Sequence, residues 1–380
     1  MHILISPNAF KNSIDAAAAA KAIEKGLHQS VLNCTTTCFP VGDGGDGTGQ
    51  LLTEISNGIF ITENVHDPLG RKIRANYGLI DNGQTAVIEM AAASGMRLLK
   101  KDELDPLQAS SYGTGELIKK ALEQGVKKII LCVGGSATVD GGCGIAEALG
   151  IRFLDVDRKI LKANPENLLH LSAFDLTGLD KRILNTEFII LADVANPLLG
   201  EKGSAKIFGP QKGASETEVE QLEKSLTRFN KIVMKTTGID MSEVKYGGAA
   251  GGTAAGLSAL LNAHVVNGID YFLTITRFDD ALQKADLVIT GEGSIDLQTL
   301  EGKAPYGVAE RAKKKNIPVI GMAGKLPEKP FAELAVYFDE LININQKGAD
   351  LAAAILLTKE NLIQTSLALG NRLALKQNTR

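Results

Sequence analysis

The stretch Ala285-Asp286-Leu287-Val288-Ile289-Thr290-Gly291-Glu292-Gly293-Ser294-Ile295-Asp296 decides the fold. Ala285 to Thr290 is predicted as a strand that runs straight into a Gly-rich loop. A helix is expected next, over Lys303 to Lys315, with its terminal lysines suited to the helix dipole. Ile317 to Met322 and Glu340 to Ile344 then read as further strands, and Asp350 to Leu369 as a closing helix. Strand and helix alternating in this way is the grammar of a parallel α/β sheet. Glu292 and Asp296 would then stand at the carboxyl end of a parallel strand, where open α/β sheets bind their ligands.

The beginning of the chain shows the same alternation. His2 to Ser6 is a short apolar strand, and Asn12 or Ser13 can cap a helix running to about Leu27. Thr35 to Val41 reads as a second strand, followed by a helix near Thr48 to Ser56. Two strands at the front and three at the back predict one five-stranded open sheet, built from residues 1–64 and 284–380. The pattern between them differs. Ile59 to Val65, Arg71 to Ile80 and Gln84 to Met90 read as consecutive strands, with turns at Asp67-Pro68-Leu69-Gly70 and Asp81-Asn82-Gly83. Asp-Asn-Gly is a hairpin signal, so residues 65–283 are expected as an inserted mixed α/β domain. It would also hold a strand over Lys128 to Val133, another over Phe188 to Ala192 and a charged amphipathic helix over Ser215 to Lys235.

Composition narrows the function classes. A formal net charge of −3 and an aromatic content of 5% argue against a nucleic-acid partner. No apolar run reaches membrane-spanning length, and Met1 to Ile5 runs into a strand rather than a signal peptide. Cys34, Cys38, Cys132 and Cys143 form no CxxC pair, which suits reduced thiols in a cytoplasmic protein. Glycine is in excess, at 40 residues, and is bunched in loops. Such loops make tight turns or bring backbone close to a ligand.

Four of these loops are candidates for chemistry. In Val41-Gly42-Asp43-Gly44-Gly45-Asp46-Gly47-Thr48, backbone N–H groups could converge on an anion at a helix start. Its glycines satisfy G-x-G-x-x-G, but Asp43 and Asp46 would repel a bare pyrophosphate; with Mg²⁺ they become ligands. A simple Gly-Asp turn with an Asp cap is the competing reading. The second loop, Gly134 to Gly144, sets Ser136, Thr138 and Asp140 among nest-forming glycines including Gly134 and Gly135. The uncharged third loop, Tyr246 to Gly256, suits helix packing as well as it suits ligand approach. The fourth carries Gly291, Glu292, Gly293 and Asp296, with Gly302-Lys303 opening the next helix. Lys11 lies at the same sheet edge as Asp43 and Glu292, and Asp193 with Asn196 ends the strand Phe188 to Ala192. There is no G-x-x-x-x-G-K-[ST], no protein-kinase set and no G-x-S-x-G, so a nucleotide user here needs another architecture.

Taken together these motifs resemble the bacterial glycerate kinases that form 2-phosphoglycerate. Ser6 to Ser13 is similar to the family's S-F-K-x-S opening, and Pro40 to Gly47 to its P-x-A-D-G-G-E-G. Ser110 to Glu116, Gly134 to Gly144, Ala192 to Leu198, Phe208 to Ala214, Gly247 to Gly252, Gly291 to Asp296 and Gly302 to Pro305 follow in family order. The chain departs from the common residues at Ala9, Gly42, Asp46 and Val139, where Ser, Ala, Glu and Asn are usual. The resemblance implies ATP:glycerate phosphotransfer with Mg²⁺, on a flavodoxin-like domain carrying an inserted one. A homodimer is an arrangement it allows.

Phosphoryl transfer needs positioning and charge neutralisation above all. The expected arrangement is an interdomain cleft in which Asp43, Asp46, Glu292 and Asp296 supply metal ligands. Lys11, Lys212 and Lys303 would neutralise transferring charge, and Gly134, Gly135, Ser136, Asn196, Gly291 and Gly293 would bind substrate or phosphate. Asp193, in preference to Asp140, would accept the glycerate hydroxyl proton. The alternatives are a kinase of a related hydroxy acid, a nicotinamide-dependent oxidoreductase resting on the G-x-G-x-x-G match, and a non-catalytic sensor of sugar acids.

Overall fold

The computed structural model describes residues 1–328, 331–345 and 350–377. Its strands, in chain order, begin with β1 (His2–Pro7), β2 (Thr35–Cys38), β3 (Ile59–His66), β4 (Lys72–Ile80) and β5 (Thr85–Glu89). Next come β6 (Lys128–Cys132), β7 (Arg152–Leu154), β8 (Ile160–Leu161), β9 (Ala173–Asp175) and β10 (Glu187–Ala192). The last are β11 (His264–Asn267), β12 (Leu287–Ser294), β13 (Val319–Lys325) and β14 (Glu340–Asn343). The chain forms two compact units, one of residues Met1–Asp43 with Ile269–Arg380 and one of Gly44–Gly268.

The first unit holds a five-stranded sheet in the order β14-β13-β12-β1-β2, and every neighbouring pair in it is parallel. Parallel sheets are covered on both faces, because their crossovers lay helices over them. Alternation along the strands accounts for the two cores. Ile3, Ile5, Leu287, Ile289, Ile320 and Met322 join one apolar cluster with Ala19, Ile23 and Leu27 from the helix Ala16–Gln29, and with Leu362 and Leu369 from the helix Thr358–Gln377. Leu4, Val288 and Val319, on the alternate positions, are also fully buried. The helix Ala16–Gln29 is capped by Asp15, whose carboxylate accepts from the Ala18 N–H at 2.7 Å, rather than by the expected Asn12 or Ser13. Asn12 instead takes a left-handed backbone (φ 64°) in the turn before it.

The second unit is built on a six-stranded mixed sheet in the order β11-β10-β6-β5-β4-β3. β3, β4 and β5 are antiparallel, as the turn signals predict, and β5, β6, β10 and β11 are parallel. Its core runs from Val65 to Ala263 and includes the apolar side of the helix Glu216–Thr237 through Leu222, Leu226, Phe229 and Val233. A small antiparallel sheet, β8-β7-β9, has no counterpart among the sequence expectations. Strands of two or three residues are too short to show a period.

Both expected unit boundaries move. Residues 44–64 go with the second unit because β3 pairs along its whole length with β4, from Ile59 opposite Leu79 to His66 opposite Lys72. Residues 269–283 go with the first. Ile269 packs so closely on Gly307 that a Cβ there would stand 2.6 Å from its Cγ1, and Phe278 meets Phe39 edge-on at 5.1 Å. No helix among the described residues is long and apolar enough to cross a membrane.

Candidate active site

In the first unit the strand order reverses its direction of growth between β1 and β12, where Pro7 lies opposite Gly291. This is the switch point at whose carboxyl edge α/β sheets bind ligands. Asn8 ties the edge together: its backbone N–H donates to the Gly291 carbonyl at 2.8 Å, and its side-chain amide to Asp43 Oδ2 at 3.0 Å. Sequence reasoning treated Asn8 only as a turn former. Lys11 lies in the turn after β1 and is exposed, and its backbone N is 3.7 Å from where a Cβ on Gly293 would stand.

Gly291, Glu292 and Gly293 do not form the expected loop. They continue β12, with Glu292 opposite Ala323 of β13. A Cβ at Gly291 would stand 2.1 Å from the Met322 carbonyl, so that glycine serves strand pairing. Glu292 is 8% exposed, and burial pushes its carboxyl up to about 8. Lys303 opposes that shift, Asp43 and Asp296 reinforce it, and a bond from Thr299 opposes it weakly. Asp296 also serves its own chain, accepting from the Gln298 N–H at 2.9 Å at the head of a short turn of 3₁₀ helix.

In the second unit the carboxyl ends of β5 and β6 bring Glu89 opposite Cys132, just before Gly134. Glu89, which the sequence did not single out, closes the start of the helix Thr48–Ile55. Its Oε1 accepts from the N–H groups of Gly49 at 2.7 Å and Gln50 at 3.2 Å. Burial raises its carboxyl above the usual range, those two bonds oppose the rise, and nearby Asp46 adds to it. The anion site expected at this helix start is therefore held by a side chain of the protein. Glu89→Ala should cost about 1–2 kcal/mol by orphaning two N–H groups. Chemical unfolding followed by circular dichroism measures this, and an unchanged midpoint would show the cap to be dispensable.

Asp46 forms an ion pair with Arg97 and lies against Gly135, where a Cβ would be 3.0 Å from its carboxylate. Asp43, Glu292 and Asp296 belong to the first unit and Asp46 to the second, and among the described residues no three His, Cys, Asp or Glu side chains gather as a metal-holding group.

Asp140 is fully buried and accepts from the Ser111 N–H and hydroxyl, at 2.9 and 2.6 Å, and from the N–H groups of Gly142 and Gly144. It knits the second loop to the segment beginning at Ser111. Gly134 is an approach glycine: its N–H donates to the Gly44 carbonyl at 3.0 Å, and a Cβ would fall 2.4 Å from Gly45 Cα. Lys212 is buried, and its ammonium donates to Ser136 Oγ at 2.8 Å and to the Thr138 carbonyl at 2.7 Å. The third loop takes its packing reading, since a Cβ at Gly251 would be 2.1 Å from the Thr138 carbonyl. The Asn196 amide donates to the Lys202 carbonyl at 2.9 Å within its own loop, and half-buried Asp193 directly follows β10.

Comparison with known proteins places these features in a family. The family model described as "Glycerate kinase family" matches residues 3–374. A glycerate kinase of Halalkalibacterium halodurans is 43% identical over 85% of each chain, and a glycerate 2-kinase of Escherichia coli is 40% identical over 94% of this chain and 91% of its own. A crystal structure described as that of a glycerate kinase 2 from Salmonella typhimurium LT2 superposes with a TM-score of 0.83 at 38% identity, covering 100% of this chain and 99% of the other. The chain belongs to the glycerate kinase family.

Proposed function

We propose that the chain transfers the γ-phosphoryl group of ATP to the 2-hydroxyl of D-glycerate, giving 2-phosphoglycerate and ADP. Family membership makes it an ATP-dependent glycerate kinase and sets aside the oxidoreductase reading. The match over residues 3–374 is the observation that carries this conclusion. The carboxylates at the edge of the first sheet support a role for Mg²⁺. Mg²⁺ is characteristically held by one or two carboxylates together with substrate phosphates and water, not by a full protein cage. Asp43 and Glu292, oxygen donors at a parallel-sheet switch point, fit that requirement. When bound, the ion would neutralise charge on the phosphates. Lys303, whose charge already acts on Glu292, and exposed Lys11 are the cations on that edge suited to the transferring group.

The strand order of the first sheet supports the flavodoxin-like description, and four free thiols are in keeping with a cytoplasmic location. Asp193 is the candidate base, now that the carboxyl group of Asp140 is committed to four donors. Phosphorus NMR of a reaction with ATP, D-glycerate and Mg²⁺ should show 2-phosphoglycerate. A 3-phosphoglycerate signal would keep the kinase and reject the regiochemistry. Asp193→Asn should lower kcat at least about a hundredfold and leave the KM for ATP within about twofold. Undiminished turnover would remove Asp193 from the role.

A further inference from the structure

The acid substrate of this reaction carries a carboxylate, and its recognition calls for an accessible cation, best a guanidinium, whose forked N–H groups match two oxygens at once. The second unit presents one. Arg97 has 76% of its side chain exposed, and its Nη2 donates to Asp46. Its other guanidinium nitrogens make no hydrogen bond among the described residues, so the remaining N–H groups stay available to an anion.

The backbone that carries Arg97 is pinned to the Gly-rich loop after β6. Ser94 accepts through its carbonyl from the Ala137 N–H at 2.8 Å, and the Met96 N–H donates to the Gly135 carbonyl at 3.0 Å. Gly95 and Ser136 bridge between these bonds. The guanidinium is therefore held beside the carboxyl edge of β5 and β6, where ligands of parallel sheets gather. The other cation at this edge, Lys212, is 3% exposed and donates to Ser136 and Thr138, so it is not open to an incoming acid in the same way.

Asp46 has a matching part. It sits between Arg97 and Gly135, where a Cβ would stand 3.0 Å from its carboxylate. A carboxylate paired to one edge of a guanidinium fixes the direction in which the other donors point. We infer that Arg97 recognises the carboxylate of the acid substrate, and that Asp46 is the positioning residue that aims it. This rests on glycerate being the substrate.

The test compares the parent chain with Arg97→Gln and Arg97→Lys in steady-state assays with D-glycerate and ATP. Arg97→Gln should raise the KM for glycerate about thirtyfold, as loss of a charged hydrogen-bonded contact does, with the KM for ATP unchanged. Arg97→Lys, which keeps the charge without the fork, should recover part of that loss. The exposed position predicts no shift in the thermal midpoint of either variant. A glycerate KM within twofold of the parent in Arg97→Gln, or an equal rise in both KM values, overturns the inference alone. A parent chain that fails to phosphorylate glycerate overturns the kinase reading, and the inference with it.

Discussion

Asp140→Ala is expected to lower the unfolding free energy of the second unit by about 4 kcal/mol, the cost of leaving several buried donors without their acceptor. The carboxyl group is fully buried and gathers four donors from two segments that the chain separates by about thirty residues. Alanine removes every acceptor from a site that is buried from solvent. Asp140→Asn keeps one acceptor oxygen but turns an NH₂ toward N–H groups, so it should lose roughly half as much. The chain has no Trp, so circular dichroism is the natural probe of a urea titration. Where the two units melt separately, the loss should fall on the transition of residues 44–268. A shift below about 1 kcal/mol would mean that the four bonds are replaceable.

Glu292→Gln should act in the opposite direction. Burial pushes the folded carboxyl up to about 8 from the ordinary value of 4.5, so the native state holds its proton where the unfolded chain has released it. The native state then binds more protons between those two values, and stability falls as pH rises through that window. Below about pH 4.5 the group is neutral in both states and costs nothing; above about pH 8 the full penalty applies, on the order of 5 kcal/mol. Glutamine mimics the neutral form at every pH. The variant should match the parent at pH 4.5 and exceed it increasingly toward pH 8.5, in buffer with chelator so that no divalent cation offsets the charge. Turnover should fall in the same variant, because Glu292 is one of the two carboxylates proposed to meet Mg²⁺. Parallel stability curves for parent and variant across this pH range would contradict the burial argument.

Much of the site was legible as composition and order, and much less of it as contact. Glu292, Asp296 and Lys303 were found because a strand, a Gly-rich segment and a helix start follow one another, and they do share one electrostatic neighbourhood. Asp43 and Asp46 look equivalent in sequence, three residues apart in one glycine loop. Asp43 is held by Asn8 in the first unit and Asp46 by Arg97 in the second. Nothing local separates them, because the partners come from residues about 35 and 51 positions away. Arg97 and Glu89 were missed for the same reason. A single Arg after Gly-Met, or a Glu at a strand end, carries no motif, and each acquires its role from what the fold lays against it.

The sequence by itself determined the alternation that makes one parallel sheet from both chain ends, the antiparallel strands that follow, and the family motifs with their chemistry. These are properties of short-range periodicity and turn residues, which the local backbone enforces. Only the tertiary structure decided that the segment from Ala285 to Asp296 keeps Gly291, Glu292 and Gly293 within a strand, that Asp140 is a structural knot, and that the helix after Gly47 already has its anion in Glu89. Each of these depends on hydrogen bonds between residues far apart in the chain. A buried polar group must find a partner wherever the fold supplies one, and its own neighbours do not say where that is.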